Sequence, residues 1–496
     1  MAISVFKESK LLAKHSIIYS LGNFMQRIVS LLLLPIYTRY LTPNDYGIKE
    51  LVALSTDIIV MLLTIAISDA IYRFYFKYEN IKDRNEVISS AIIVISIVGL
   101  FAIVLLSFST KLMAHLILDS AELYYFFLIA FASLWFQSLN NIGYTYLRAE
   151  QKSLKFVTLS FCKMVLAILL NICLVCYLKL GVLGILISTL IVSIIMTLVL
   201  VAPLSKKIGL HFSANKIKEM LKFGAPLIPS QFGAFIVHLS DRFFIKEYCS
   251  IADAGLYSLG YRFGTLPMYF ISQPFNQIFQ PRRFELYKND GSEKIFGTIF
   301  TYFLGLMVFA GLGVSVLSKD LLMIMSDEKF WSAYKVIPII VLATTIFSFQ
   351  YHLDMGILIT KKTIYLAYIN FSNGILILIL NFMLIPKYGV YGAAYATLIA
   401  FIYKISLTYY FSSRYYQVHF ELIRIIKIFL AAILIYMITI GVVFDSNIIS
   451  FIVKSAIILL YPGLLLFFNF LSQEEKDKIN GFLKPRFIAI KERYFS

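Results

Sequence analysis

Arg27, Asp57, His238, Asp241, Arg242, Arg262 and Asp354 lie inside or at the edge of long apolar runs. Ionisable groups in such surroundings are costly, and they mark ion or ligand handling by default. Arg27 is the deepest. It lies 13 residues after Lys14 and 12 before Arg39, roughly 18 Å from either end of a helix that rises about 1.5 Å per residue. Asp57 lies 11 residues after Tyr46, at nearly the same depth in the next run. The two are expected to face an interior. There they would form either a closed ion pair that locks two helices, or an anion-binding arginine tuned by a carboxylate. Arg242 sits near the end of its run and Arg262 about eight residues into the following one. These two could meet at one level, with His238 one turn from Arg242, while Asp241 reads as a neutraliser of a neighbour. Arginine suits an anionic cargo because it stays charged and binds oxygens in a forked geometry. Arg27, Arg242, Arg262 and His238 are therefore the candidate substrate contacts. Asp57, Asp241 and Asp354 are candidates for ion coupling by H+ or Na+, or for charge pairing.

Other chemistry finds little support. Cys173 and Cys176 form one C-x-x-C, but it lies in an apolar run without a histidine or second pair nearby. Such cysteines read as small buried hydrophobes. The glycines after Gly311 resemble a nucleotide fingerprint only in spacing, because they too lie within an apolar run. Neither a catalytic constellation, a resident metal, a cofactor nor a nucleic-acid site is expected.

The elements that position these charges follow from composition. The chain has 496 residues, 59% hydrophobic and 15% charged, with a net charge of +17 and a mean hydropathy of +0.80. Soluble domains carry about 25% charged residues, so an all-α polytopic membrane protein is expected. Fourteen apolar stretches are long enough to span about 30 Å of hydrocarbon, among them 16–38, 47–71, 223–245 and 254–279. With the N-terminus inside, 30 of the 45 Lys and Arg residues fall in inner segments and 9 in outer ones. That bias is the positive-inside pattern, and it places both termini in the cytoplasm. The basic start, MAISVFKESKLLAKHS, lacks the apolar core and cleavage site of a signal peptide.

A repeat organises the spans. KLGVLGILISTLI at 179–191 matches KYGVYGAAYATLI at 387–399, an offset of 208. At the same offset Tyr40, Asp45, Gly47 and Leu51 match Tyr248, Asp253, Gly255 and Leu259. Lys152 and Asn171 match Lys362 and Asn381 at an offset of 210. Six spans per unit is an even number, so the units are parallel repeats about an axis along the membrane normal, with a cargo site between them. The expected organisation is an N-lobe at 1–210, a C-lobe at 211–420, two added spans at 421–472 and a basic tail at 473–496. Arg27 and Arg242 have apolar counterparts, Phe235 and Leu34. The scaffold is thus duplicated and its buried charges are not, which suits a cargo with two different ends.

The stretches LLLLPIYTRYLTPNDYG (31–47), FGAPLIPSQF (223–232), SDRFFI (240–245) and KYGVYGAAYATLI (387–399) resemble the polysaccharide-transporter branch of the multidrug/oligosaccharidyl-lipid/polysaccharide exporter superfamily. This branch includes the bacterial flippases for O-antigen and capsule repeat units. The resemblance implies an alternating-access transporter in the bacterial inner membrane. It would move undecaprenyl-pyrophosphate-linked oligosaccharide through a basic central cavity, alongside polysaccharide polymerase and chain-length machinery. It also matches Arg27 and Arg242 to basic cavity positions. Span 2 lacks an additional mid-span arginine, a departure from the lipid II flippases. A drug/cation antiporter of the same superfamily would need an acidic cavity, whereas here deep basic residues outnumber deep acids.

Overall fold

The computed structural model describes residues 32–442, 444–473 and 475–477, with the side chains of 61–66, 68, 69, 227, 229–231, 234 and 281 outside that description. Arg27, and most of the first apolar stretch, therefore lie outside the described residues. Every regular element among the described residues is helical. Ten of the described helices are long and apolar enough to cross a membrane, and they correspond to the third to sixth and ninth to fourteenth stretches of the sequence.

The first stretch contributes α1 (Leu34–Tyr40). The second is one helix, α2 (Pro43–Lys77), of 35 residues, roughly 52 Å at the usual rise. Next come α3 (Ile81–Ser107), the short α4 (Thr110–Leu118), α5 (Tyr124–Ala149), α6 (Ser153–Asn171) and α7 (Gly181–Met196). A linker helix, α8 (Ala214–Gly224), leads into the second unit. There the seventh stretch is divided at Ser240 into α9 (Ile228–Leu239) and α10 (Asp241–Tyr248). The eighth is divided around Pro267 and a π turn at Met268–Ser272 into α11 (Ile251–Gly264) and α12 (Gln273–Leu286). Kinks of this kind follow from proline and from π-type insertions in the hydrogen-bond ladder. The remainder comprises α13 (Ser292–Met325), α14 (Ile337–Ser348), α15 (Ile364–Tyr388), α16 (Val390–Ser413), α17 (Leu422–Ile440) and α18 (Asn447–Ile458).

The repeat is written into backbone geometry. Both α2 and α11 open with a hydroxyl N-cap paired to an aspartate three residues on, a full capping box in α2. Thr42 and Asp45 exchange hydrogen bonds at 2.9 and 3.1 Å, and the Ser250 Oγ accepts from the Asp253 amide at 3.0 Å. Gly181 and Gly389, which lead into α7 and α16, adopt φ values of +54° and +55°, a conformation that favours glycine. One turn later, a Cβ on Gly184 would stand 3.0 Å from the Leu174 carbonyl oxygen, and one on Gly392 2.2 Å from that of Leu384. Leu174 and Leu384 are related by the 210-residue offset, as the two-residue loop difference requires. The repeat expected from the sequence is thus present in the backbone of the described residues.

Packing separates the two units and then joins them. One hydrophobic cluster draws only on residues 67–220, and two others only on residues 237–401 and 245–394. A further cluster takes Leu34, Tyr37, Tyr46 and Ile185 from the first unit and Leu259, Phe263, Phe330 and Ile337 from the second. The helices α17 and α18 pack on α13, around Leu304, Leu312, Ile428 and Ile435.

Candidate functional site

The two units meet most closely where the repeat-matched starts of α2 and α11 cross. A Cβ on Gly47 would lie 1.9 Å from the Ile251 carbonyl oxygen, and a Cβ on Gly255 2.4 Å from the Pro43 carbonyl oxygen. Pro43 and Ile251 are themselves 208 residues apart, so the two contacts are images of each other across the pseudo-two-fold axis. Only glycine permits both approaches. This crossing is at the end of the bundle opposite the Lys/Arg-rich segments.

One turn inward from Gly47 the symmetry ends and charge begins. Arg262 Nη2 on α11 donates to Glu50 Oε1 on α2 at 2.6 Å. Lys49 Nζ donates to the same oxygen at 2.6 Å. The Lys49 ammonium lies 4.7 Å from the Tyr46 ring centroid and 5.5 Å from that of Tyr37, so it too is held in place. The repeat counterparts of Glu50 and Arg262 are Ser258 and Leu54. Two cations share one carboxylate here, which leaves the cluster net positive. The Glu50 side chain is 12% exposed and that of Arg262 36%, so the arginine is the more open member. Asp57 lies two turns beyond Glu50 on the same face of α2. It is exposed and forms no ion pair among the described residues. Whether it pairs with Arg27 falls outside those residues.

Arg242 has a different setting. Its Nη1 donates to Asp241 Oδ1 at 2.5 Å and to the His238 carbonyl at 2.7 Å. The Tyr257 hydroxyl donates to Asp241 Oδ2 at 2.7 Å. The guanidinium lies 4.1 Å from the Tyr261 ring centroid, a cation–π distance. Asp241 and Arg242 are 2% and 4% exposed, a closed pair inside the second unit. His238 therefore meets Arg242 through its backbone oxygen, while its ring packs 5.1 Å from Phe347 and 5.5 Å from Phe401. Arg242 and Arg262 are not partners. Each is bonded to its own carboxylate, Arg242 to Asp241 and Arg262 to Glu50.

Asp354 is bound to Arg283, whose Nη1 donates to its Oδ1 at 2.8 Å and to the Tyr351 carbonyl at 2.9 Å. Sequence spacing assigns Arg283 to an aqueous segment, but α12 runs on to Leu286 and carries it inside. Lys404 and Lys454 are close enough to span ends to reach water by their length. In the structure Lys404 is buried with its ammonium 4.8 Å from the Phe347 ring centroid. Lys454 bonds Asp320 at 2.9 Å. Glu50, Lys49 and Arg283 are the members that sequence reasoning missed. The signal for Glu50 was available in the Gly47/Gly255 match, which brings the following turns of α2 and α11 face to face.

Residues 36–289 match a family model described as polysaccharide biosynthesis protein. A stretch of 253 residues is 26% identical to the Lsg locus putative protein 1 of Haemophilus influenzae, covering 50% of this chain and 60% of that protein. The match therefore spans less than two thirds of that relative. Among solved structures, the fold is similar to lipid II flippase MurJ in an inward closed conformation, with a TM-score of 0.76 and 18% identity over 91% of this chain and 99% of that one. It is also similar to an inward-facing multidrug resistance MATE family transporter, at a TM-score of 0.64 and 13% identity over 78% and 94% of the two chains. A transporter of the same superfamily from Pyrococcus furiosus matches at 0.57 and 14% over 82% and 95%. These likenesses establish the fold of a multi-pass membrane protein. Since the family model extends over just more than half of its length, the chain belongs to the polysaccharide biosynthesis protein family.

Proposed function

We propose that this protein is a flippase that moves undecaprenyl-pyrophosphate-linked oligosaccharide, a polysaccharide repeat unit, from the cytoplasmic to the outer leaflet of the bacterial inner membrane. The observation that carries this reading is the net positive cluster of Lys49, Glu50 and Arg262 where the two repeats meet, in a member of a polysaccharide biosynthesis family. Residues 1–210 and 211–420 act as the two lobes, with the linker helix α8 fastened to the first, and they close against each other at the glycine crossing. Arg27 and Arg262 take the pyrophosphate, because arginine forks suit its oxygens. Arg242 and His238 support that region from within the C-lobe. The Lys/Arg-rich end faces the cytoplasm with both termini, in keeping with the charge bias. Asp57, which has no ion-pair partner among the described residues, is the candidate for H+ or Na+ coupling. A lipid II flippase is the second reading, favoured by the likeness to MurJ over 91% of the chain.

Deletion of the gene tests the reading. A lipid-linked oligosaccharide should accumulate on the cytoplasmic leaflet and clear on complementation. The variants Arg27→Ala and Arg27→Lys should each fail to complement at normal protein levels. Accumulation of lipid II instead would select the second reading, and accumulation of neither would refute both.

A further inference from the structure

We infer that Glu50 is a surrogate anion, a latch that holds Arg262 and closes the far end of the bundle until an anionic cargo group displaces it. The inference rests on the reading of the cargo as a pyrophosphate-bearing lipid, and it assigns to Glu50 a role in positioning rather than in contact. Three observations lead to it. First, the Glu50–Arg262 bond joins the two repeats beside the closest approach of their backbones. Any motion that separates α2 from α11 must break it. Second, the bond is single: one N–H of the guanidinium reaches one carboxylate oxygen, and that oxygen is shared with Lys49. A guanidinium has five N–H donors, and Glu50 and Tyr46 engage only part of them, so an incoming phosphate can bind the rest before the carboxylate leaves. Third, the cluster carries two cations and one anion, and Arg262 is its more open member. A pyrophosphate brings more charge than a carboxylate and offers paired oxygens, so it competes for Arg262 on favourable terms.

The exchange explains how cargo arrival and opening are linked. An empty carrier that opened freely would reset without load. With Glu50 in place the empty form stays shut at the Gly47/Gly255 crossing, and the cargo itself supplies the differential binding that shifts the equilibrium. Lys49 remains with Glu50 after the exchange, so the carboxylate is not left buried and unpaired.

Full-length protein in nanodiscs, carrying spin labels in place of the exposed Lys111 and Lys329 with Cys162, Cys173, Cys176 and Cys249 changed to serine, reports the separation of the two units at this end. Inorganic pyrophosphate and undecaprenyl pyrophosphate are added in separate arms. Wild type should show one short distance, with the long-distance population rising about fivefold or more on addition. A response to both probes assigns the trigger to the pyrophosphate group; a response to the lipid alone assigns it to the lipid-linked form. Glu50→Gln should populate the long distance without either probe. The exchanged pair Glu50→Arg with Arg262→Glu should restore the short distance, ignore both probes, and fail to transport. A merely structural bond would instead be rescued in transport by the exchange, and that result overturns the proposal. So does a Glu50→Gln protein that stays closed and responds as wild type. A wild type indifferent to both probes that still exports glycan in cells also overturns the latch, but leaves the flippase reading standing. Only the gene-deletion result bears on that reading.

Discussion

Arg242 and Arg262 are two arginines at the edge of membrane stretches, and their partners give them different work. Arg242 is enclosed by Asp241, Tyr257 and Tyr261 within one unit. Every surrounding group satisfies it, and little of it is open to a ligand. Arg262 reaches between units and keeps donors in reserve. Removing the partner of a buried charge costs about 3–5 kcal/mol, so Asp241→Asn should sharply lower thermal stability in detergent. Tyr257→Phe deletes one hydrogen bond and should cost about 1 kcal/mol. Arg262→Gln should leave the melting temperature nearly unchanged and abolish export. Scanning fluorimetry beside an export assay separates the two classes; equal destabilisation by Asp241→Asn and Arg262→Gln would contradict the division. Sequence spacing placed both arginines at one level near span ends, because level depends only on distance from helix ends. Depth alone passed over Glu50, which is 212 residues from its partner and has an uncharged counterpart, Ser258; only the Gly47/Gly255 match carries it. Arg283 was hidden for a related reason, since α12 extends past the charges that seem to end it.

At the scale of elements, the repeat was legible because its glycines do a backbone job. Gly47 and Gly255 admit carbonyl oxygens where any side chain would collide, and Gly184 and Gly392 do the same at the turns into α7 and α16. These are positions where residue type follows from geometry, so the pattern survives in the sequence when the side chains around it diverge. Lys152 and Lys362 show the same economy. Each follows a residue of positive φ, Gln151 and Lys361, and its amide closes back on Leu147 or Ile357 at 2.9 and 3.0 Å. The divided seventh and eighth stretches were less legible, because Pro267 signals a break without giving its direction and the break at Ser240 has no proline beside it. If the crossing of α2 and α11 is the closed end of the transporter, Gly47→Ala should force the helices apart there. The added methyl would meet backbone at 1.9 Å, whereas nothing lies within 4 Å of a Cβ on Gly313. The expected result is a lengthened Lys111–Lys329 label distance and reduced export for Gly47→Ala, with Gly313→Ala close to wild type in both. Unchanged distance in Gly47→Ala would show that the crossing does not set closure.

For the whole molecule, the question is which parts move together. The linker α8 lies between the units in sequence but is fastened to the first. Lys216 Nζ bonds Asp83 and Glu86 on α3 at 2.8 and 2.6 Å, Lys77 bonds Glu219 at 2.5 Å, and the His211 amide donates to Ser89 Oγ at 2.8 Å. Burial works against the charge of Lys216, but hydrogen bonds to the two carboxylates overcome it and hold the ammonium above the usual lysine range. A group whose pKa is raised on folding contributes fully below its unfolded value, about 10.4 for lysine, and loses that contribution only as pH rises through the folded value. On the lysine side the clamp is therefore intact throughout the neutral range. Its worth is limited because Asp83 is 42% exposed, so Lys216→Gln should cost about 1 kcal/mol. The mechanical consequence is larger than the energetic one. With α8 fixed to the first unit, the hinge between units is expected after Gly224, at the entry to α9, where Pro226 removes a backbone donor. Spin labels at Lys218 and Lys82 should then keep one distance when pyrophosphate is added, while labels at Lys218 and Lys288 should change theirs. Lys216→Gln should broaden the first distribution and leave the second responsive. A Lys218–Lys82 distance that moves with the cargo would instead place the hinge before the linker, and the first unit would no longer carry α8 as part of its body.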